Sequence, residues 1–241
     1  MTPPRLYLLD VEGTTSPISL VSEQLFPYAR KHLKSFVLDH VDEAAVRADL
    51  ALLVEERMEE RDADAPPVEP EWDVADDAEP GIAYLLWLMD RDRKSTALKS
   101  LQGKIWKAGF EAGELVGTVF ADVPEALARW SRVAKVAIYS SGSVEAQQLL
   151  FRHSSAGDLT PYLSGYFDTR VGAKGAAESY RAIAAATGIA TGKILFVSDV
   201  VRELDAAREA GCETRLSVRE GNQLVLDPAG HTAIRSFAEI S

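Results

Sequence analysis

The sequence predicts an α/β protein: a parallel sheet core with helices on both faces, interrupted by an inserted all-helical domain. Three observations carry that expectation. Short apolar runs bounded by loop residues recur at 5–10 (RLYLLD), 133–139 (VAKVAIY) and 193–198 (KILFVS); a strand buried on both faces reads this way. Between the later runs lie helical stretches, VEAQQLLFRHSS after 143 and SYRAIAAATG after 178, and alternating strands and helices imply βαβ units. From about Ser19 to Leu115 the pattern changes to helical periodicity at 22–38, 41–61 and 80–108, with no convincing strand.

Taken in order, the first run ends at a carboxylate, Asp10, and the helical block follows it. A break inside that block, DADAPPVEPEWDVADDAEPG, carries four prolines and forbids one continuous helix. The α/β pattern then resumes. The expected domains are therefore a core of 1–18 and 116–241, and a helical cap of 19–115 with an acidic, proline-rich loop at about 62–80. The stretch 213–241 is expected to finish the sheet and pack a last helix.

Composition bounds the function. The chain has 241 residues, of which 46% are hydrophobic, too many for a disordered chain. Its formal net charge is −11, which disfavours nucleic acid or an anionic membrane as partner, since phosphate backbones need clustered Lys and Arg. The charge is local, however. Residues 55–79 hold 12 acids against Arg57 and Arg61. The remainder is nearly neutral, so an anionic ligand stays open, and the acidic window reads as a solvated face.

Cys212 is the one cysteine, which precludes an intramolecular disulfide and fits a reducing compartment. Its plain reading is a small apolar residue behind a helix. The start MTPPRLYLLD lacks a leader's apolar region, and nothing approaches the roughly 18 apolar residues of a membrane span. A cytoplasmic protein is expected.

Ligands of open parallel sheets bind outside the carboxyl ends of the strands, and those ends carry the candidate chemistry. Asp10-Val-Glu12-Gly13-Thr14-Thr15 places two carboxylates at the first end, with a glycine that lets the backbone turn. Ser140-Ser141-Gly142-Ser143 sets hydroxyls and amides before a helix, as an anion site or a plain cap. Ser198-Asp199, with Glu203 and Asp205 behind, offers oxygen ligands suited to Mg²⁺, or a capping Asp before an acidic helix face. Lys174, in GAKGAAES, adds a cation or a solvated surface lysine. Together they form an ordered set of acidic nucleophile, anion site, cation and metal carboxylate. The histidines show no metal-ligand spacing, and the serine-rich turn SSGS is not a G-x-S-x-G elbow.

That set resembles the haloacid-dehalogenase-like phosphohydrolases. DVEGTTSPI (10–18), DRDRKSTALKSLQGKIW (90–106), YSSGSVEAQ (139–147) and SDVVRELDAAREAG (198–211) are similar to the enolase-phosphatase, or acireductone synthase, family of methionine salvage. Glutamate two residues after the nucleophile is its diagnostic feature, because most relatives carry aspartate there.

The resemblance implies a Rossmann-like core with a helical cap, a monomeric enzyme and one Mg²⁺ per chain. It implies conversion of 2,3-diketo-5-methylthiopentyl-1-phosphate, a phosphorylated diketone, to 1,2-dihydroxy-3-keto-5-methylthiopentene and phosphate. Carried onto this chain, Asp10 is the nucleophile, and Asp10, Asp199 and the Glu12 carbonyl hold the metal. Ser140, Ser141 and Lys174 bind phosphate oxygens, and Glu203 or Asp205 holds metal waters. Glu12 is the nearest base for enolisation, with Lys174 or a cap residue as alternatives. Lys99, Gln102 and Trp106, at helical spacing, face the substrate tail or pack. The family loop often carries Glu two residues beyond the lysine; here that position is Ala176, with Glu178 nearby. A phosphatase for another small phosphate monoester, and a non-catalytic binder using the acidic segment, are the other readings.

Overall fold

The chain is described over residues 4–240 in a computed structural model. Six strands form one sheet: β1 (Leu6–Leu9), β2 (Lys135–Tyr139), β3 (Gly165–Phe167), β4 (Ile194–Ser198), β5 (Glu213–Ser217) and β6 (Thr232–Ile234). Their order is β3-β2-β1-β4-β5-β6, and every pairing is parallel. The chain moves outward from β1 to β2 and β3, then returns to place β4 on the other side of β1. That reversal makes the carboxyl ends of β1 and β4 the crevice where such sheets bind ligands.

Two apolar faces explain why these short runs are strands. Leu6, Leu8, Ala137, Tyr139, Ile194 and Phe196 face one way and meet Tyr180 and Ile183 of α7 (Ala177–Thr187) and Leu204 and Ala207 of α8 (Val201–Glu209). On the other face Tyr7 stacks on Trp130 of α5 (Val123–Trp130), ring centroids 4.3 Å apart, and Trp130 meets Phe237 at 5.1 Å. Each such fully buried side chain contributes roughly 1.5–3 kcal/mol. Strand limits are tighter than the apolar runs. Val133 is 76% exposed because the amides of Val133 and Ala134 turn back to the Trp130 carbonyl. The expected last helix is a single tight turn, Phe237–Glu239, closed by a Ser236/Glu239 capping box.

The chain divides into two compact units, Met1–Ser22 with Gly113–Ser241, and Glu23–Ala112; residues 1–3 and 241 lie outside the described residues. The second unit holds α1 (Phe26–Asp39), α2 (Ala44–Glu59), α3 (Glu79–Asp90) and α4 (Thr96–Glu111). Leu33, Leu50, Leu85 and Leu101 lie in its common core.

Two expectations are corrected here. The helical pattern at 80–108 is two helices. Asp92 takes a positive φ of 48°, the Arg93 amide closes onto Leu88, and Ser95 caps α4 by accepting from the Leu98 amide. Glu56 reinforces that cap by accepting from the Thr96 amide at 2.7 Å. The acidic window is not solvated throughout: Ala65, Val68 and Val74 are buried in the helical core. Arg57 donates to the carbonyls of Pro66 and Ala65. The Trp72 ring lies so close over Gly81 that a Cβ there would sit 2.3 Å from it.

Trp106 packs beside Phe26 and its indole N–H donates to the Leu25 carbonyl at 2.8 Å. Gln102 is buried. No helix among the described residues is long and apolar enough to cross a membrane.

Cys212 is buried behind α8, and burial pushes its thiol up to about 12. In the unfolded chain the thiol releases its proton above about pH 8.5, whereas the folded thiol holds it. Stability contributed by this group is therefore lost as pH rises from that value toward 12. Two outcomes are expected: Ellman's reagent at pH 8 labels Cys212 only as fast as the chain unfolds, and melting temperature falls less steeply between pH 8 and 10 in Cys212→Ala than in the unsubstituted chain.

Candidate active site

Register brings the chemistry to one place. β1 pairs on both sides, Leu9 opposite Ile138 of β2 and Val197 of β4. Asp10 therefore leaves β1 beside the Ser140 loop and beside Ser198-Asp199. The turn after Asp10 is tied by the amides of Thr14, Thr15 and Ser16, all donating to the Val11 carbonyl, and by the Gly13 amide donating to Ser16. The Thr15 hydroxyl donates to the Asp10 carbonyl at 3.0 Å. Gly13 has φ +66°, and a Cβ there would stand 2.2 Å from Asp199 Oδ2. Glycine is required for both the left-handed turn and the close approach of Asp199.

The centre of the site is an ion cluster. Lys174 Nζ lies 2.6 Å from Asp10 Oδ1 and 2.7 Å from Glu203 Oε2. Asp10 Oδ1 also accepts from the Val11 amide at 2.8 Å. The Ser198 hydroxyl lies 2.9 Å from Asp10 Oδ2 and 3.1 Å from Glu203 Oε2, so one proton is within reach of two carboxylates. Asp10, Lys174, Ser198 and Glu203 are thus brought together by direct contacts. Asp199 and Glu12 join them through Gly13 and through electrostatic coupling.

Burial sets the charge states. Desolvation pushes Lys174 down, but the adjacent Asp10 and Glu203 carboxylates outweigh it and hold the ammonium above its ordinary value. Burial raises the Glu12 carboxyl, helped by the charge of Asp10 and opposed by Lys174. Burial, then Asp10, raises Glu203. Asp199 is pushed up to about 7 by burial first and the Asp10 charge second. Four carboxylates therefore share one ammonium.

The Lys174 loop is held from beneath. Tyr180 donates to the Lys174 carbonyl at 2.7 Å, Ser179 to Ala173 at 2.7 Å and Tyr139 to Gly172 at 2.9 Å. Ser140 is buried and accepts from the Gly142 amide at 3.1 Å. Ser141 is exposed in the same loop. Gln147 of α6 (Val144–Arg152) ties that loop to β3 by donating to the Gly142 and Phe167 carbonyls.

Not every expected residue is there. Asp205 pairs with Arg208 and with His231 Nε2 at 3.1 Å, so it points away from the cluster, one helical face off from Glu203. Glu178 pairs with Arg181 and is 80% exposed. The acid beside Lys174 comes instead from α8, as Glu203. Ser198 stands where the sequence pattern puts it, before Asp199 at the strand end, but the pattern assigns its hydroxyl no part, and the bridge between two carboxylates is a tertiary contact. The pattern also misses Ser217 and Asn222, which donate to the Gly13 carbonyl from more than 200 residues away; no local signal links them.

Does the donor set fit a cation? Among the described residues no three His, Cys, Asp or Glu side chains form a ready-made cage. Two carboxylates, Asp10 and Asp199, flank the Gly13 turn amid surplus negative charge. That fits a hard divalent ion that keeps waters and takes few protein ligands.

Residues 4–211 match the family model of the haloacid dehalogenase-like hydrolases. Enolase-phosphatase E1 of Synechococcus elongatus is 51% identical, over 97% of this chain and 96% of its own. The protein of the same name from Pseudomonas aeruginosa is 47% identical over the same shares. The crystal structure of the UTR4 protein of Saccharomyces cerevisiae superposes with a TM-score of 0.79 at 33% identity, covering 98% of this chain and 100% of that one. The chain belongs to the enolase-phosphatase family of haloacid dehalogenase-like hydrolases, the phosphatases of methionine salvage.

Proposed function

We propose that Asp10 is the nucleophile that takes the phosphoryl group from 2,3-diketo-5-methylthiopentyl-1-phosphate, and that the same site enolises the diketone to 1,2-dihydroxy-3-keto-5-methylthiopentene. The observation that carries this is the Asp10 carboxylate, fixed at the end of β1 between Lys174 and Ser198. Enolisation comes first: a proton leaves the carbon that bears the phosphate ester and the neighbouring ketone oxygen gains one, giving an enol phosphate. A carboxylate oxygen of Asp10 then attacks phosphorus, the ester P–O bond breaks, and the enol oxygen leaves and takes up a proton; water cleaves the resulting acyl phosphate to phosphate and free Asp10. A covalent route divides a very slow hydrolysis into two easier steps.

Phosphatases of this family generally depend on a divalent metal. Asp10, Asp199 and the Glu12 carbonyl would hold one Mg²⁺, which when bound supplies charge neutralisation between nucleophile and phosphate. Ser140, the Ser141 amide and Lys174 bind the non-bridging oxygens, with most value in the transition state. Glu203 keeps Lys174 aimed at Asp10.

Glu12 is the base of enolisation: it is a half-buried carboxyl two residues from the nucleophile, while Lys174 is committed to two carboxylates. The helical segment 19–115 is the cap of the family, and 1–18 with 116–241 the catalytic core. One chain supplies every group of the cluster, which supports a monomeric enzyme; the single, buried cysteine supports a cytoplasmic one.

Asp10→Asn is expected to abolish phosphate release, a loss of at least about 10³-fold on the scale of missing catalytic groups, while the melting curve stays cooperative. Retained turnover removes Asp10 as nucleophile. Asp199→Ala is expected to raise the Mg²⁺ concentration for half-maximal activity about 10-fold or more, so an unchanged metal titration speaks against it as a ligand. In Glu12→Gln, enol absorbance and phosphate followed separately are expected to show enolisation lost; full enolisation assigns that proton to another base.

A further inference from the structure

We infer that the segment from the last residue of β5, Ser217, to Asn222 is a positioning clamp for the nucleophile turn, with Asn222 and Ser217 as positioning residues of the phosphatase site. The observation begins with one peptide oxygen. The Gly13 carbonyl accepts from the Ser217 hydroxyl at 2.9 Å and from Asn222 Nδ2 at 2.9 Å. Asn222 Nδ2 also donates to the Ser217 carbonyl at 3.3 Å, which braces the two donors against each other. Next along the turn, the Thr14 carbonyl accepts from Arg219 at 3.3 Å.

A carbonyl oxygen has two lone pairs, and both at Gly13 are engaged. On the other side of the residue, the Gly13 amide donates to the Ser16 carbonyl at 2.8 Å. The peptide planes before and after Gly13 are therefore both held. Peptide units are planar and trans, so the Glu12 carbonyl points opposite to the Gly13 N–H; holding one aims the other. The Ser16 carbonyl thus aims the Glu12 oxygen that joins Asp10 and Asp199 in the metal site proposed above, and the clamp fixes the next peptide, so that Gly13 cannot swing and carry that oxygen away.

The clamp also sets spacing. A Cβ built on Gly13 would lie 2.2 Å from Asp199 Oδ2 and 3.0 Å from Asn222 Nδ2, so this residue is confined between the two side chains. Glycine has the widest backbone freedom of any residue, so the contacts from Ser217 and Asn222 add to the turn's own hydrogen bonds in restricting Gly13.

The arm that delivers these contacts is itself anchored. Arg219 is 9% exposed, pairs with Asp122 Oδ2 at 2.9 Å and donates to the Arg235 carbonyl at 2.8 Å. Its guanidinium stands 4.7 Å from the ring centroids of Phe120 and Phe237. Burial pushes the Asp122 carboxyl up, but Arg219, the Phe237 amide and Ser236 hold it below its ordinary value. Ser217 ends a sheet strand and is 1% exposed. The clamp therefore rests on fixed structure at Ser217 and at Arg219, so the turn is held to the sheet.

This inference rests on the reading of Asp10, Glu12 and Asp199 as the metal-holding set. Its test is Mg²⁺ binding by isothermal titration calorimetry, beside steady-state kinetics, on Asn222→Ala, Ser217→Ala/Asn222→Ala and Ser217→Thr, with Asp199→Ala as control. Residues that orient metal ligands cost about 10–100-fold in affinity or activity when removed. The double variant is expected to raise the Mg²⁺ Kd at least about 10-fold and lower kcat similarly, with KM for the phosphorylated substrate within about two-fold. Ser217→Thr, which keeps the hydroxyl, is expected to stay near the unsubstituted chain. Asn222→Ala, at a half-buried polar position, supplies the same measurement should the double variant fail to fold. Unchanged Mg²⁺ Kd and kcat in Asn222→Ala overturn the inference. Asp199→Ala separates the two failures: it loses Mg²⁺ binding where only the clamp is wrong and retains it where the metal reading is wrong too.

Discussion

A single buried ammonium organises this protein's working end. Lys174 sits between Asp10 and Glu203, with side chains 10%, 6% and 12% exposed respectively. A lysine taken from water to such a place is unfavourable unless its partners are close and themselves satisfied. Here the carboxylates have further donors: the Val11 amide for Asp10, and the one Ser198 hydroxyl proton, shared between Asp10 and Glu203. Removing one member would strand the others and cost on the order of 3–5 kcal/mol. Much of the fold can be understood as the means of bringing these charges together.

The sheet order is the first such means. Asp10 follows β1, Lys174 lies in the loop before α7, and Glu203 is in the first turn of α8 after β4. Because β3, β2, β1 and β4 are neighbours in that order and all parallel, the loops that follow β1, β3 and β4 open at the same end of the sheet. The second means is local. Tyr139, Tyr180 and Ser179 bind the carbonyls of residues 172–174, so the loop presents its lysine from a fixed base. The third is the C-terminal arm on Gly13. Preorganisation of this kind keeps charged groups aimed at a developing transition state without reorganisation during reaction. Surplus negative charge around a single ammonium leaves a place for a divalent cation.

Much of this could be read from residue order. The apolar runs became β1, β2 and β4, and the strand-end rule led to Asp10, Ser140 and Asp199. The failures have physical causes. Helical periodicity continued through 80–108 because Leu88, Leu98 and Leu101 all face one core, while the break at 91–95 depends on Ser95 and on Glu56 from another helix. Glu203 and Asp205 were equivalent on paper. Two residues turn a helix by more than half a circle, so only one can reach Lys174; the other meets Arg208 and His231. Charge dominates the composition of the acidic window and hides its packing. Its buried residues are few and small, and Trp72 settles on Gly81 only through tertiary packing.

By itself, then, the sequence determined the fold class, the family and the identity of the charged groups at the strand ends, because apolar periodicity and short motifs are local properties. The tertiary structure decided which acid partners the lysine, which hydroxyl bridges two carboxylates, and which distant side chains hold the turn after Asp10. Those are contacts between residues as far apart as Gly13 and Asn222. Their energy depends on distance, burial and direction, and only the folded chain specifies these quantities.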